Sequence, residues 1–334
     1  MTGWEQYADD LTAALRTVGD RVFLIASARE RPLAYVQFAG GPDAVDAEAS
    51  GAGAGPLAYL LEDQGWQPPH PLEVNWRSRL PRAASTAEHA ELVARCVAAL
   101  REAYGVRSPD DLAYRAWRER EVAPSGVTWP RARFEALDPG EDPLVLPDLE
   151  PGRTPTPAPD PATVASWKAM DPAALCDALD VWARRSWPLA EEDAYAVATR
   201  DLGWEIEVED GRRYVVHPSP GIDRRDVGVA FRRGQLSDVR LTATDATRDR
   251  SRAAAAFLGD AFAATVREAS ARWGTSAAGE SQRDDPLAQV RRWTLPGGAR
   301  VELALTVRAV RAVVTSPQGV AWAERDDEIY FDGL

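Results

Sequence analysis

The sequence predicts an α+β protein of two domains, each with helices packed on a mainly antiparallel sheet. Three observations predict it. The first half reads helix, strands, helix, strand, helix, and the second half shows a related rhythm, a pattern of segregated runs rather than strict β-α-β alternation. Between the halves, Asp138–Ala162 carries eight prolines, Pro139, Pro143, Pro147, Pro151, Pro155, Pro157, Pro159 and Pro161, too many for a helix or a central strand. The length of 334 residues also exceeds one average domain of roughly 100–200 residues. The expected layout is a first domain over 1–137, a proline-rich linker over 138–162, and a second domain over 163–334 with an acidic C-terminal end.

In the first half, Trp4, Tyr7, Ala8, Leu11, Ala14, Leu15 and Val18 recur at spacings of three and four, one face of a helix. Val22–Ser27 and Leu33–Ala39 flank the polar turn Arg29–Pro32 as a hairpin, and Val45–Ser50 supplies a third strand. Leu57–Gln64 reads as a short helix closed by Gly65. Leu72, Val74 and Trp76 alternate with polar residues as a strand. A long helix starts at Ser85 or Thr86, with Glu88 nearby as a capping partner, and runs to Gly105. Residues 107–137, rich in arginine, read as a helical extension anchored by Trp117 and Trp129. Within the linker, Leu144–Leu149 has the composition to pack on a neighbour, and Thr154–Pro161 favours extended polyproline II.

The second half reads as helices over Ala173–Trp187 and Glu191–Leu202, then strands at Ile206–Glu209, Arg213–His217, Val227–Phe231 and Val239–Thr242. A strong helix spans Ser251 to about Trp273. After the polar insert Gly274–Asp285, three strands follow at Gln289–Leu295, Arg300–Thr306 and Val310–Thr315, the first two joined by the hairpin turn Pro296-Gly297-Gly298.

Composition narrows the function classes. A net charge of −13 repels phosphate backbones and anionic membrane surfaces, and the basic pairs Arg224-Arg225, Arg232-Arg233 and Arg291-Arg292 are too short to overcome it. Neither nucleic acid nor membrane is an expected partner. Lys168 is the sole lysine, so arginine abundance reflects coding bias as much as recognition. Cys96 and Cys176 sit in apolar helical patterns and read as free buried thiols. The N-terminus MTGWEQYADD is no leader, and the apolar runs are too short to span a bilayer, so the expected location is cytoplasmic.

A search for chemistry returns little. His70, His89 and His217 are far apart and neither cysteine has a partner at metal spacing, so no metal is expected. Gly51-Ala52-Gly53-Ala54-Gly55 resembles a phosphate cradle only loosely, since it lacks a lysine and Pro56 has no N–H to offer. No serine stands in a nucleophile-elbow setting, and pairs such as Glu191-Glu192 and Asp326-Asp327 read as solvated faces. The expectation is a protein without cofactor or catalytic residues.

The sharper signal lies in the first two strands. Val22, Leu24 and Ala26 oppose Phe23 and Ile25, while Ala34, Val36 and Phe38 oppose Leu33, Tyr35 and Gln37, so both faces carry apolar groups. Helices of the same domain cover one face. The second domain, a second copy or a client peptide are the alternatives for the other.

The patterns W-E-x-Y-A-x-x-L at Trp4–Leu11, Y-V-Q-F-A-G-G-P-D at Tyr35–Asp43, L-x-x-x-G-W at Leu61–Trp66 and L-R-E-x-Y-G-V at Leu100–Val106 resemble the YbjN-like and type III secretion chaperone superfamily. Within it they are most similar to the actinobacterial TY-Chap peptide-binding chaperone domains, over about residues 1–115. Residues 165–316 resemble an uncharacterised actinobacterial family through W-P-x-x-x-x-D-x-x-x-x-A at Trp187–Ala198, L-G-W at 202–204 and W-T-L-P-G-G at 293–298, which implies no activity. The short glycine-rich loop 51–56 departs from the superfamily and puts client contact through that loop in question.

The superfamily resemblance implies a secretion-chaperone-like domain that holds extended peptides along its sheet, often as a homodimer. The function expected is therefore a non-enzymatic peptide- or protein-binding chaperone or adaptor. Its exposed-face residues by alternation are Phe23, Ile25, Tyr35 and Gln37, with Trp76 added; a one-residue register error would exchange the faces. The alternative is an immunity-type protein that neutralises a toxin through an acidic surface, motivated by the net charge of −13 and the acidic end Glu324–Asp332.

Overall fold

The structure, a computed structural model, describes residues 3–71, 73–119, 143–150, 159–210, 212–217, 222, 226–278 and 289–332. The chain divides into two compact units, Met1–Thr156 and Pro157–Leu334.

The first unit begins with helix α1, Gly3–Thr17, which buries Leu11, Ala14 and Leu15. Strands β1 (Val22–Ala28), β2 (Arg31–Gly40) and β3 (Ala44–Ala49) follow as an antiparallel meander. Two short helices, α2 (Gly51–Ala54) and α3 (Tyr59–Asp63), precede β4 (Trp76–Pro81), α4 (Thr86–Ala98) and β5 (Leu112–Arg118). The sheet order is β4-β3-β2-β1-β5, antiparallel throughout. Strict alternation buries Val22, Leu24, Ala26 and Ala28 of β1 and leaves Phe23, Ile25 and Ser27 half-buried on the other side. The buried face joins α1 and α4 in one core, where each fully buried leucine such as Leu11, Leu24 or Leu100 contributes about 1.5–3 kcal/mol. The start of α4 is a capping box. Ser85 Oγ accepts from the Glu88 N–H at 3.3 Å, and the Glu88 carboxylate accepts from the Ser85 N–H at 2.6 Å.

Two expectations need correction here. The stretch read as a helical extension is strand β5 over its first part, Leu112–Arg118. There Leu112 and Ala116 are buried while Ala113, Arg115 and Trp117 lie on the opposite face, a period of two that the arginine content hid. Trp129 lies outside the described residues. The strand expected at Leu72–Trp76 instead begins at Trp76; Val74 is 76% exposed, and the buried set is Trp76, Ser78 and Leu80. Of the linker, residues 143–150 belong to the first unit, with Leu146 in its core and Leu144 and Leu149 packed against it; residues 138–142 and 151–158 lie outside the described residues.

In α2 glycine is required because backbone crowds the turn from both sides. A Cβ on Gly51 would stand 2.2 Å from the Val74 carbonyl oxygen, and one on Gly53 2.2 Å from that of Leu33. Ser50, buried, caps the helix by accepting from the Gly53 N–H at 3.0 Å. Gly53→Ala is therefore expected to lower stability by about 1–3 kcal/mol through overpacking against backbone, read as a shift in urea midpoint at unchanged slope.

The second unit contains α5 (Pro161–Ser166), α6 (Pro172–Ala183), α7 (Glu191–Ala196), β6 (Glu205–Glu209), β7 (Arg212–Val216), β8 (Asp226–Arg232) and β9 (Gln235–Thr242). Then come α8 (Arg252–Trp273), β10 (Ala277–Ala278), β11 (Gln289–Thr294), β12 (Arg300–Leu305), β13 (Val310–Thr315) and α9 (Pro317–Asp332). The strands form one antiparallel sheet ordered β10-β11-β12-β13-β9-β8-β7-β6. Helices α6 and α8 pack on β12 and β13, with Trp182, Leu175, Leu179 and Phe262 fully buried. Arg272 of α8 bonds the carboxylates of Asp177 on α6 and Glu268 on its own helix, and the Trp273 indole N–H donates to Asp180 at 2.8 Å. The acidic end, Glu324–Asp332, is part of helix α9.

Both cysteines are free and buried. Burial pushes both thiols up, that of Cys176 to about 12. An ordinary thiol near pKa 8.5 reacts with alkylating reagents at about pH 8. Neither should be modified in the folded chain, and both should be labelled after denaturation, as mass spectrometry would count.

Candidate functional site

The outer face of the first unit's sheet is ordered by its register. One row across the strands reads Trp117, Phe23, Ala39, Asp46, Arg79, and the next reads Arg115, Ile25, Gln37, Glu48, Arg77. A third begins Ala113, Ser27, Tyr35. The β1–β5 end is apolar and aromatic. Phe23 and Trp117 stack with centroids 5.1 Å apart and planes 8° from parallel, and the Arg115 guanidinium lies 5.2 Å from the Trp117 ring centre.

The β2–β3 end is polar and tightly bonded. Gln37 Nε2 donates to Glu48 Oε2 at 2.7 Å, and Asn75 Nδ2 donates to the same oxygen at 2.8 Å and to the Tyr35 hydroxyl at 3.1 Å. Arg79 stands 3.7 Å from Asp46, and Arg77 pairs with Glu73 at 2.5 Å. Exposed pairs of this kind contribute roughly 0–1 kcal/mol each, so they set surface pattern more than stability.

Four of the five residues expected at the site, Phe23, Ile25, Tyr35 and Gln37, lie together on this face and are half-buried. Trp76 does not. It pairs with Ala49 on the opposite face and is 8% exposed in the core, because the strand starts at Trp76 and its buried set runs Trp76, Ser78, Leu80. Sequence reasoning also missed Trp117 and Arg115, through the helical reading of β5, and missed Glu48 and Asn75, whose role depends on neighbours 11 to 40 residues away.

His89 is buried on α4 with Nδ1 2.8 Å from the Ser85 carbonyl oxygen, and His217 is buried beside Trp204 in the second unit. Among the described residues, no group of three His, Cys, Asp or Glu side chains could hold a metal ion, and no helix is long and apolar enough to cross a membrane.

An antiparallel sheet with helices on one face and a mixed aromatic and polar ladder on the other defines an α+β domain. Family comparison agrees with that class. Residues 1–118 match the family described as T3SS (YopN, CesT) and YbjN peptide-binding chaperone 3, and residues 173–316 match a family of unknown function (DUF6301). No curated protein and no solved structure matches the chain.

The two faces make opposite predictions for truncation. Trp76→Ala removes a core side chain and should cost about 3–5 kcal/mol. Phe23→Ala, on the outer face, should cost on the order of 1–2 kcal/mol, one aromatic pair with partial burial. Chemical denaturation of both variants checks the assignment, and equal losses would place Phe23 in the core as well.

Proposed function

We propose that the first unit is a peptide-binding chaperone or adaptor module that lays an extended client segment on the outer sheet face, and that the chain works by binding a protein or peptide in the cytoplasm rather than by catalysis. The observation that carries this is the pair of cross-strand rows in which the Phe23–Trp117 stack and Ile25 adjoin the Gln37–Glu48–Asn75–Tyr35 ladder. The family match over residues 1–118 supports it, since that family's description names peptide binding.

The geometry gives the reading a mechanism. Successive rows are two residues apart along each strand, about 6.8 Å. An extended client has the same spacing between side chains on one side, so its alternate residues meet successive rows. Apolar client side chains lie against Phe23, Ile25 and Trp117, where a desolvated aromatic anchor contributes most of the affinity. Gln37, Asn75 and the Tyr35 hydroxyl offer hydrogen-bonding groups beside them, and Arg115 at one end with Asp46 and Glu48 towards the other sets a charge direction.

The test uses the full chain as bait for clients captured by wild type. Phe23→Ala with Tyr35→Ala should reduce recovery by about tenfold or more, the loss of one hot-spot contact. Unchanged recovery removes this face from consideration. Repeating the capture across a salt series separates apolar peptide binding, which varies little, from neutralisation of a basic toxin by an acidic surface, which weakens steeply.

A further inference from the structure

The family match of the first unit ends at residue 118, yet its core contains a leucine from well beyond that point. Residues 143–150 read Pro-Leu-Val-Leu-Pro-Asp-Leu-Glu. Leu146 is 3% exposed within the cluster built by α1, α4 and the sheet, and Leu144 and Leu149 are half-buried against it. Val145, between the anchors, is 61% exposed. The backbone meets β5 on the side away from β1. The Leu144 N–H donates to the Ala116 carbonyl at 2.9 Å, and the Leu146 N–H donates to the Tyr114 hydroxyl at 3.2 Å. That hydroxyl in turn donates to the Glu150 carboxylate. Pro147–Leu149 then makes one 3-10 turn along α1, closed by the Leu149 N–H to the Leu146 carbonyl at 2.9 Å.

This is the seating of an extended peptide on a sheet edge: a backbone bond to the edge strand, alternate side chains in and out, and apolar anchors in a groove. Two facts mark the segment as an occupant rather than a strand of the sheet. Among the described residues one backbone bond, Leu144 to Ala116, ties it to β5, whereas β1 pairs with β5 along seven residues from Val22 to Ala28. The groove is made by residues inside the family match, α1 and β5, and the occupant lies outside it.

We propose that the groove between α1 and the free edge of β5 is a second peptide-binding site, that residues 143–150 are its tethered occupant, and that client segments of the pattern Leu-x-Leu-Pro-x-Leu-acid displace that occupant. The proposal rests on the reading that this unit binds peptides and adds a competitor to it. A tethered ligand acts at an effective concentration on the order of millimolar. Only clients that outcompete it open the groove, and the edge is guarded against indiscriminate strand addition meanwhile.

The experiment measures fluorescence anisotropy of a labelled synthetic peptide of residues 143–150 against the full-length chain. Wild type is compared with the variant Leu144→Ser/Leu146→Ser/Leu149→Ser, whose own segment cannot seat, and with the milder Leu146→Ala. The triple variant should bind the peptide at least about tenfold more tightly than wild type, Leu146→Ala should fall between, and added peptide should raise the variant's Tm. Adding Phe23→Ala/Tyr35→Ala should leave this affinity unchanged. No gain in binding by a cooperatively folding variant overturns the proposal. So does a triple variant that neither unfolds cooperatively nor is restored by peptide, because the segment is then integral core. Loss of peptide binding through Phe23→Ala/Tyr35→Ala would also overturn it, moving the site to the outer face. Failure of the peptide alone, with clients still lost on the outer-face variant, leaves the sheet-face reading standing.

Discussion

The alternation of side chains along β1 is the constraint on which the first unit depends. Leu24 and Ala26 are fully buried, and that burial requires α1 and α4 to lie on their side of the sheet. The same period of two sends Phe23, Ile25 and Ser27 to the other side. Because β1 is hydrogen-bonded to β2 on one edge and β5 on the other, its register passes outward to both. A slip of one residue would drive Phe23 into the helices and expose Leu24, reversing every row of the outer face at once. The aromatic stack, the amide ladder and the flanking arginines are thus consequences of one packing decision made on the opposite side of the sheet.

The polar half of the outer face solves a second problem. A sheet face bearing Phe23, Ile25 and Trp117 alone would be an apolar patch open to nonspecific association. Glu48, accepting from both Gln37 and Asn75, places a charged group in the middle of the sheet without leaving the amides unsatisfied. Asn75 also reaches Tyr35, so a tyrosine that would otherwise extend the apolar set is turned into a bonded member of the polar one. Ordered polar groups beside the aromatics thus break up what would otherwise be a continuous apolar patch.

Much of this was legible in the sequence where packing and local pattern agree. β1 and β2 were readable because apolar residues alternate against a single covered face, and α4 because Ser85 and Glu88 announce its start before a stripe of Val93, Cys96, Val97 and Leu100. β5 was not, since Ala113-Tyr114-Arg115-Ala116-Trp117-Arg118 has the composition of a solvated helix and becomes a strand only by pairing with β1, some ninety residues earlier. Trp76 was misplaced for a related reason. The local string Leu72-Glu73-Val74-Asn75-Trp76 alternates, but the strand that forms runs onward from Trp76 and buries Ser78, a residue with no apolar signal. The linker was drawn from its prolines. They do not exclude the three leucines among them from a core, because Pro147 needs only a 3-10 turn and Leu144 and Leu146 only an extended backbone.

The edges of the two sheets argue for how such a protein can bind an extended chain at all. On β4, Gln67 exchanges backbone bonds with Arg77 at 2.8 and 3.0 Å, capping that edge. On β6, the exposed Glu205, Glu207 and Glu209 line the edge with three carboxylates, whose repulsion opposes addition of a like strand. β5 is blunted by a segment that is itself an extended apolar peptide, bonded through Ala116 and Tyr114. A cap made of charge has nothing in common with an extended peptide, whereas the segment on β5, held by one backbone bond where Gln67 makes two to β4, has the chemistry of one. Under the exchange proposed for β5, strand addition would use the edge where an occupant of the same chemistry already sits, and other capture of an extended chain would fall to the sheet face.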